Sequence, residues 1–355
     1  MIMFALTWLV CLCYLSRSAA LEVFSYDNTG NWKNAKNVDD NFYSKWDKLG
    51  ARRNRCGDAD GKKSPIDLRK TATCRSDHEM LIGRGKCSLS QVDWKIQPWG
   101  LEGHYPRTCK RPTVDLSDSF HMRHASLVRV KVPSEHTMEG KRFDGEVQVS
   151  HMDNALAANR SNRLEHVENI SVFLDARSSP KKDNAWLEKM LVRWETEAKK
   201  QNARCGVTSA TFEADLHFVG KRKNPISQRD QGLLPFATPD APPPTNSTAP
   251  ARRLRTKAWY LHSPWRNVFY YGYKGGLTQP PCTPNTFWYV SDEPQKISAR
   301  QLDRVYALLA GYLDDDCELG TYADRDGSVA RPVQNSRGAK VFHCDERDYL
   351  NHSPK

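Results

Sequence analysis

The segment that most constrains this chain is residues 127–151, LVRVKVPSEHTMEGKRFDGEVQVSH. In its first part every second residue is a valine, and the residues between the valines are Arg129 and Lys131. This period-two alternation is typical of a β-strand, and residues two apart share one strand face. The strand runs directly into Pro133. The segment therefore predicts a strand that carries two cations on one face and ends at a turn.

The same segment resembles the central strands of the α-carbonic anhydrases. The motif PSEHT, followed by GKRF and then GEVQVSH, is similar to two neighbouring strands of that family. In the family these strands carry three zinc-binding histidines, two on the first strand and one on the second. At the corresponding positions this chain has Arg129, Lys131 and Gln148. The resemblance implies a scaffold for a zinc site in which all three ligands are replaced.

The chemistry of these replacements opposes metal binding. A catalytic zinc of this kind uses three neutral imidazoles and one open position, where bound water reaches a pKa of about 7. The Arg129 guanidinium stays protonated and has no lone pair for a metal. Lys131 could bind only when neutral, and the Gln148 amide is a weak ligand. We therefore expect no cofactor and no CO2 hydration. A zinc-dependent carbonate dehydratase with a residual or unconventional metal site is the alternative.

A second alignment register is available at residues 120–124, FHMRH. There His121 would share a strand face with Arg123, while His124 would point to the opposite face. That register supplies one ligand at most and leaves Gln148 unchanged. The zinc site is incomplete in either register.

Family-like motifs continue in order along most of the chain. They include SPIDL from Ser64, YYGYKGGLTQPPC from Tyr270 and RPVQ from Arg331. The resemblance implies a mainly β fold with short helices, in which one large, twisted and mostly antiparallel sheet forms a single domain over residues 21–355. Within it, we expect a helix capped by Asp183 or Asn184. A second helix is predicted to begin with a capping box of Ser298 and Gln301.

The resemblance also assigns the pocket. Glu135 and Thr278 correspond to the pair that orients the zinc-bound hydroxide, although the same hydrogen bond would equally tie two strands together. The positions that line the family's substrate pocket are Leu277, Gln279, Trp288 and Ser150. Because buried charges are tolerated only when they are paired, we expect Arg129 and Lys131 to form ion pairs with Glu135 and Glu146.

The amino terminus reads as a secretory signal peptide over residues 1–20, with an apolar run before Ser-Ala-Ala. Its removal takes away Cys11 and Cys13 and leaves an even number of cysteines, which predicts disulfides in a secreted protein. The family resemblance implies the pair Cys56–Cys282, and Cys317–Cys344 is a second candidate pair. The cysteines left without an assigned partner are Cys74, Cys87, Cys109 and Cys205.

The remaining features concern secretion and partners. Glycosylation sequons occur at Asn159, Asn169 and Asn246. Residues 219–257 form a basic, proline-rich insertion, and residues 338–355 form a carboxyl-terminal tail. The formal net charge is +11, which favours a polyanionic glycan or an extracellular protein as partner. The secretory route argues against nucleic acid, and no transmembrane segment is expected after signal removal.

Overall fold

The computed structural model describes ten stretches of the chain, and all structural statements concern them: residues 24–35, 54–58, 63–74, 80–83, 85–116, 123–152, 167–178, 181–207, 269–336 and 338–345. The predicted signal peptide, the insertion at 219–257 and two of the sequons, Asn159 and Asn246, lie outside the described residues.

The described residues form fifteen strands in two sheets. The strands are β1 (Asp67–Leu68), β2 (Ala72–Thr73), β3 (Met80–Gly83), β4 (Asp93–Gln97), β5 (Gly100–His104), β6 (Thr113–Leu116), β7 (Arg123–Lys131), β8 (Thr137–Met138), β9 (Lys141–Arg142), β10 (Gly145–Met152), β11 (Val167–Asp175), β12 (Tyr270–Gly276), β13 (Pro284–Ser291), β14 (Gln295–Lys296) and β15 (Phe342–Cys344).

One sheet of twelve strands dominates the fold. Its main path runs β2-β15-β12-β13-β11-β10-β7-β5-β4, with β14 beside β11, β6 beside β7 and β3 beside β6. Within this sheet β11 pairs in parallel with β13 and β14, and β15 pairs in parallel with β2. The other pairings of the sheet are antiparallel. The predicted fold class is confirmed: a mainly β single domain with a large mixed, mostly antiparallel sheet and few helices.

The register of the central strands decides which side chains meet. Arg129 on β7 lies opposite Gln148 on β10 and opposite Glu102 on β5. The residues between them, such as Val128 and Val147, are fully buried in the main hydrophobic core. Because side chains alternate between the two faces of a strand, the valines fill the core and the polar residues collect on the other face.

Two α-helices and one 3₁₀-helix complete the described fold: the 3₁₀-helix Thr29–Asn34, α1 (Ala185–Arg204) and α2 (Ala299–Ala310). Of the two cap candidates for α1, Asn184 is the cap, and its side chain accepts hydrogen bonds from the N–H groups of Trp186 and Leu187. The predicted capping box of Ser298 and Gln301 is confirmed at the start of α2.

The described residues form four disulfides, and three of them join distant parts of the chain. Cys56–Cys282 is confirmed. The candidate pair Cys317–Cys344 is wrong, because Cys344 bonds to Cys74 and Cys317 bonds to Cys205. The reason is the sheet order: β15 ends at Cys344 and pairs with β2, which brings Cys74 alongside. The fourth disulfide, between Cys87 and Cys109, closes a local loop.

The carboxyl-terminal region contributes to the sheet. Strand β15 lies between β12 and β2, although the sequence assigned its residues to a tail. Cys344 is fully buried there. Among the described residues, no helix has the length and apolar character needed to cross a bilayer.

Candidate functional site

The three positions predicted to correspond to zinc ligands lie together on one face of β7 and β10. Arg129, Lys131 and Gln148 are each at most 3% exposed. The turn that follows β7 brings Glu135 and His136 beside them, and both are fully buried. The site is therefore an interior cluster of charged and polar side chains, built by strand register and closed by a turn.

Arg129 is paired with Glu102, a residue that sequence reasoning missed. The Arg129 Nε donates to Glu102 Oε1 at 2.8 Å, and Nη2 donates to the same oxygen. Glu102 also accepts from Trp99 Nε1 at 2.9 Å and lies 2.7 Å from His104 Nε2. Burial opposes ionisation of Glu102, but the Arg129 charge and the His104 contact outweigh it and lower its pKa to about 2. The expected ion pairing of Arg129 is present, with a different partner from the two that were predicted.

The Lys131 ammonium has three polar contacts. Its Nζ donates to the Tyr26 hydroxyl and to the Trp99 carbonyl oxygen at 2.9 Å, and it lies 4.0 Å from Glu135 Oε1. The ammonium also lies 4.8 Å from the centre of the Tyr26 ring. Burial lowers the pKa of Lys131 to about 8, against the opposing effect of Glu135. The predicted pairing with Glu135 is present, and Lys131 also joins β7 to the amino-terminal segment.

Gln148 connects two carboxylates. Its Nε2 donates to Glu135 Oε2 at 2.8 Å and to Glu146 Oε1 at 3.1 Å. The Gln148 amide thus links the two carboxylates through hydrogen bonds and adds no charge. It also directs its nitrogen, which has no lone pair for a metal, into the cluster.

Glu146 holds the turn after β7 instead of pairing with Arg129 or Lys131 as predicted. Its Oε2 accepts the backbone N–H groups of Glu135 and His136, each at 2.8 Å. Its Oε1 accepts from Ser171 at 2.5 Å and lies 2.8 Å from His136 Nδ1. Burial opposes ionisation, but His136 and the hydrogen bonds lower the Glu146 pKa to about 2. The correction follows from geometry, because both Glu146 oxygens are used by the turn.

The structure arranges Glu135 and Thr278 differently from the predicted hydrogen-bonded pair. Both residues are buried. Glu135 Oε1 accepts the backbone N–H of Arg331 at 3.2 Å, and Oε2 accepts from Gln148. Within the part of the chain that the structure describes, the Thr278 hydroxyl forms no hydrogen bond with Glu135. The carboxylate serves the interior cluster instead.

The pocket-wall positions combine apolar and polar side chains. Leu277 and Trp288 are buried, as the apolar wall requires. Ser150 donates to Asn169 Oδ1 at 2.6 Å, and both residues are 1% exposed. The Gln279 side chain is fully buried, and neither of its amide atoms has a hydrogen-bond partner among the described residues. Ser150, one of the predicted wall positions, is thus part of a buried polar pair.

Asn169 is also one of the three predicted sequons. It lies in β11 between Ser150 and Trp288 in the strand register. Its side chain is inside the protein and bonded to Ser150. A glycan on Asn169 is incompatible with this packing, because N-linked glycans require a surface position.

The buried arginine and lysine side chains of the site equal its buried glutamates in number. The cluster holds the cations Arg129, Lys131 and Arg331 and the carboxylates Glu102, Glu135 and Glu146. Burial lowers the pKa of Arg331 to about 10, against the opposing effect of Glu135. A dication added to this set would lack compensating charge, and the nearby side chains at the ligand positions are two cations and an amide. The residues present do not fit zinc.

Among the residues that the structure describes, no group of three or more His, Cys, Asp or Glu side chains is placed to hold a metal ion. His136 and His151, which flank the ligand positions in sequence, are both buried. Burial lowers the pKa of His151 to about 3, and its Nδ1 lies 3.1 Å from the Val149 carbonyl oxygen. These histidines are part of the packed interior.

Comparison with solved structures identifies the fold. Dioscorin complexed with ascorbate superposes with a TM-score of 0.52 at 16% identity, covering 91% of this chain and 98% of dioscorin. The Photobacterium profundum α-carbonic anhydrase gives a TM-score of 0.47 at 16% identity, with 84% of this chain and 95% of that chain covered. The class of protein that this fold defines is a large-sheet, mainly β domain like that of dioscorin.

Sequence comparison identifies the family of one region. Residues 248–345 match the model of the eukaryotic-type carbonic anhydrase family. A stretch of 53 residues is 43% identical to human carbonic anhydrase 12, a match that spans 15% of this chain and 15% of that protein. Residues 248–345 are therefore similar to the carbonic anhydrase family, which confirms for this region the resemblance predicted from the motifs.

Proposed function

We propose that this protein is a secreted, zinc-free carbonic-anhydrase-like protein that does not hydrate CO2 and acts through binding. The observation that carries the proposal is the interior cluster at the three ligand positions. Two cations and an amide stand there, and each is engaged by buried carboxylates. An ion pair of this kind is costly to break, because removing one partner leaves the other charge buried without compensation.

The direct test is metal analysis of the purified protein together with a CO2 hydration assay, with an active α-carbonic anhydrase as positive control. We expect zinc far below one equivalent and no turnover above the uncatalysed rate. Stoichiometric zinc with turnover that a sulfonamide blocks would overturn the proposal and favour the carbonate dehydratase alternative.

The converse test restores the ligands with the variant Arg129→His, Lys131→His and Gln148→His. A fourth change, Glu102→Gln, removes the carboxylate that would lose its guanidinium. We expect the folded fourfold variant to gain zinc affinity in a competition titration. The control places histidines at three exposed positions, Lys70, Lys110 and Lys296. If a correctly folded fourfold variant bound zinc no better than this control, the assignment of the ligand positions would be wrong.

Secretion is supported by the four disulfides, which are typical of oxidising compartments. We propose a polyanionic glycan or an extracellular protein as partner, bound through the basic insertion at 219–257. The charge of the chain favours the polyanion. Retention on a heparin column in a salt gradient tests this part, and elution in the flow-through at low salt would contradict it.

A further inference from the structure

The outer face of helix α1 presents exposed cations that the fold does not use. Lys189, Arg193, Lys199 and Lys200 are all exposed, and we name this set the α1 basic face. Lys189 and Arg193 are one turn apart, and Lys200 follows seven residues after Arg193, which keeps these three on one side of the helix. Lys199 lies about 100° round the helix from the middle of that side and forms the edge of the face. At 1.5 Å per residue, the distance from Lys189 to Lys200 along the helix axis is about 16 Å.

The carboxylates of the same helix are drawn away from this face. Arg304 on α2 donates to Glu188 Oε2 at 2.7 Å and to Glu195 through two hydrogen bonds of 2.6 and 2.9 Å. Two of the acidic side chains of α1 are therefore neutralised by the neighbouring helix. Glu197 pairs with Lys200 at 2.8 Å.

The remaining cations of the face have no carboxylate partner among the described residues. Lys189, Arg193 and Lys199 take part in no ion pair within that set, whereas Lys200 and Arg204 do. Three positive charges thus point to solvent along one helix without local compensation. A solvated helix needs no such arrangement, since interspersed Glu–Lys pairs would serve solubility equally well.

The opposite face of α1 is fixed in the core, so the basic face is held rigidly. Trp186, Met190 and Trp194 are buried, and Trp194 Nε1 donates to the Glu102 carbonyl oxygen at 2.8 Å. The apolar side of the helix is therefore not available to enter a membrane, which an interfacial helix requires. Val192, 49% exposed, is a single apolar residue on the outer side.

From this placement we infer that the α1 basic face is a binding surface for a sulfated glycan chain. A linear polyanion with regularly spaced sulfates complements a rigid helix side on which Lys189, Arg193 and Lys200 span about 16 Å, with Lys199 at its edge. Among these four cations only Lys200 has a carboxylate partner in the described residues. The disulfides favour an extracellular polyanion over nucleic acid. The inference rests on the proposed binding function and assigns it a surface on described residues, distinct from the basic insertion.

The test compares three variants of the full-length protein with the wild type. The first replaces Lys189, Arg193 and Lys199 with Gln, which keeps helix propensity and removes three charges. The second makes the same loss of charge at exposed Lys70, Lys110 and Lys296. The third neutralises the insertion with Arg252→Gln, Arg253→Gln and Arg255→Gln. The probe is a heparin-derived octasaccharide at physiological salt, with its desulfated form as ligand control, and the readouts are Kd and circular dichroism.

We expect the α1 variant to raise Kd about tenfold or more, equivalent to about 1.4 kcal/mol, while the variant at Lys70, Lys110 and Lys296 stays within about twofold of the wild type.

A wild-type protein that does not bind the octasaccharide would contradict the polyanion part of the proposed function as well. A binding wild type with an unchanged α1 variant would overturn this inference alone, whether the insertion variant weakens or not. Equal weakening by the α1 variant and the variant at Lys70, Lys110 and Lys296 would also overturn it. So would binding to phosphatidylserine vesicles, lost in the α1 variant, without binding to the octasaccharide.

Discussion

The interior cluster and the α1 basic face both concentrate positive charge, but they treat it in opposite ways. Inside, Arg129 and Lys131 are at most 1% exposed, and each lies within 4.0 Å of a carboxylate. Outside, Lys189 and Arg193 are exposed and have no carboxylate partner in the described part of the chain. Arginine and lysine therefore stabilise the fold in the interior cluster and remain available to a binding partner on the α1 basic face.

The difference teaches how to interpret a basic chain. A formal charge of +11 does not indicate which cations are free, because buried ones are compensated by necessity. Surface charges bring little stability, and their removal is tolerated. The interior should therefore respond to mutation through the free energy of unfolding, and the helix face through binding.

The largest effect is expected from Arg129→Met. It leaves the Glu102 carboxylate buried with its main counter-charge removed, and loss of one partner of a buried ion pair typically costs about 3–5 kcal/mol. Urea unfolding followed by circular dichroism measures the free energy. Adding Glu102→Gln to the variant should recover part of the loss. A single variant as stable as the wild type would show that the pair is not an obligatory element of the interior.

Acid should be the next strongest perturbation. The folded pKa values of Glu102 and Glu146 are about 2, below the ordinary 4.5. The stability that these carboxylates contribute is complete above pH 4.5 and is lost as the pH falls toward 2. Unfolding free energies measured across this range should fall steeply. The Glu102→Gln variant should show a shallower slope, and an identical slope would contradict the assignment.

At alkaline pH Lys131 changes stability in the same direction as the two carboxylates. Its folded pKa is about 8 and its ordinary value is 10.5, so between these pH values the unfolded chain binds more protons. Lys131 therefore makes stability rise as the pH increases from 8 to 10.5. Lys131→Met should remove this contribution from urea unfolding curves, whereas Lys189→Met should leave it in place. Equal slopes in the two variants would contradict the burial of an ionised Lys131.

The smallest effect on stability is expected on the outer helix. Replacing Lys189, Arg193 and Lys199 by Gln should change the unfolding free energy by at most about 0.5 kcal/mol, the usual range for surface positions. The same variant is the one expected to lose glycan affinity. A marked destabilisation would show that these residues contribute to the stability of the fold. The interior cluster and the α1 basic face would then not differ in this respect.

Much of the fold could be predicted from sequence because motif order fixes topology. The strands around residues 127–151, a helix cap at Asp183 or Asn184 and the Cys56–Cys282 bond all follow from local patterns or from the resemblance, and the structure selects Asn184. Cys74–Cys344 was missed because it depends on two short strands, β2 and β15, meeting in parallel across 270 residues. Short strands leave little periodic signal in a sequence.

The sequence predicted which residues form the candidate site better than it predicted the contacts between their side chains. Glu102 was missed because its pairing with Arg129 depends on the register of β5, although a carboxylate beside Leu101 in a short apolar stretch was an available signal. Tyr26 reaches Lys131 from a segment 105 residues earlier. The role of Glu146 required knowledge of the turn geometry at Glu135 and His136. Contacts of this kind are set by three-dimensional packing.

The pairing of charges in the interior cluster limits how the predicted ligand positions could be changed to histidines. Replacing Arg129 alone with histidine would leave Glu102 without its guanidinium, and replacing Lys131 alone would take the ammonium from Glu135 and the Tyr26 hydroxyl. Either of these single replacements is thus expected to lower stability before a set of three ligands is complete. A zinc site at these positions would require several residues to change together.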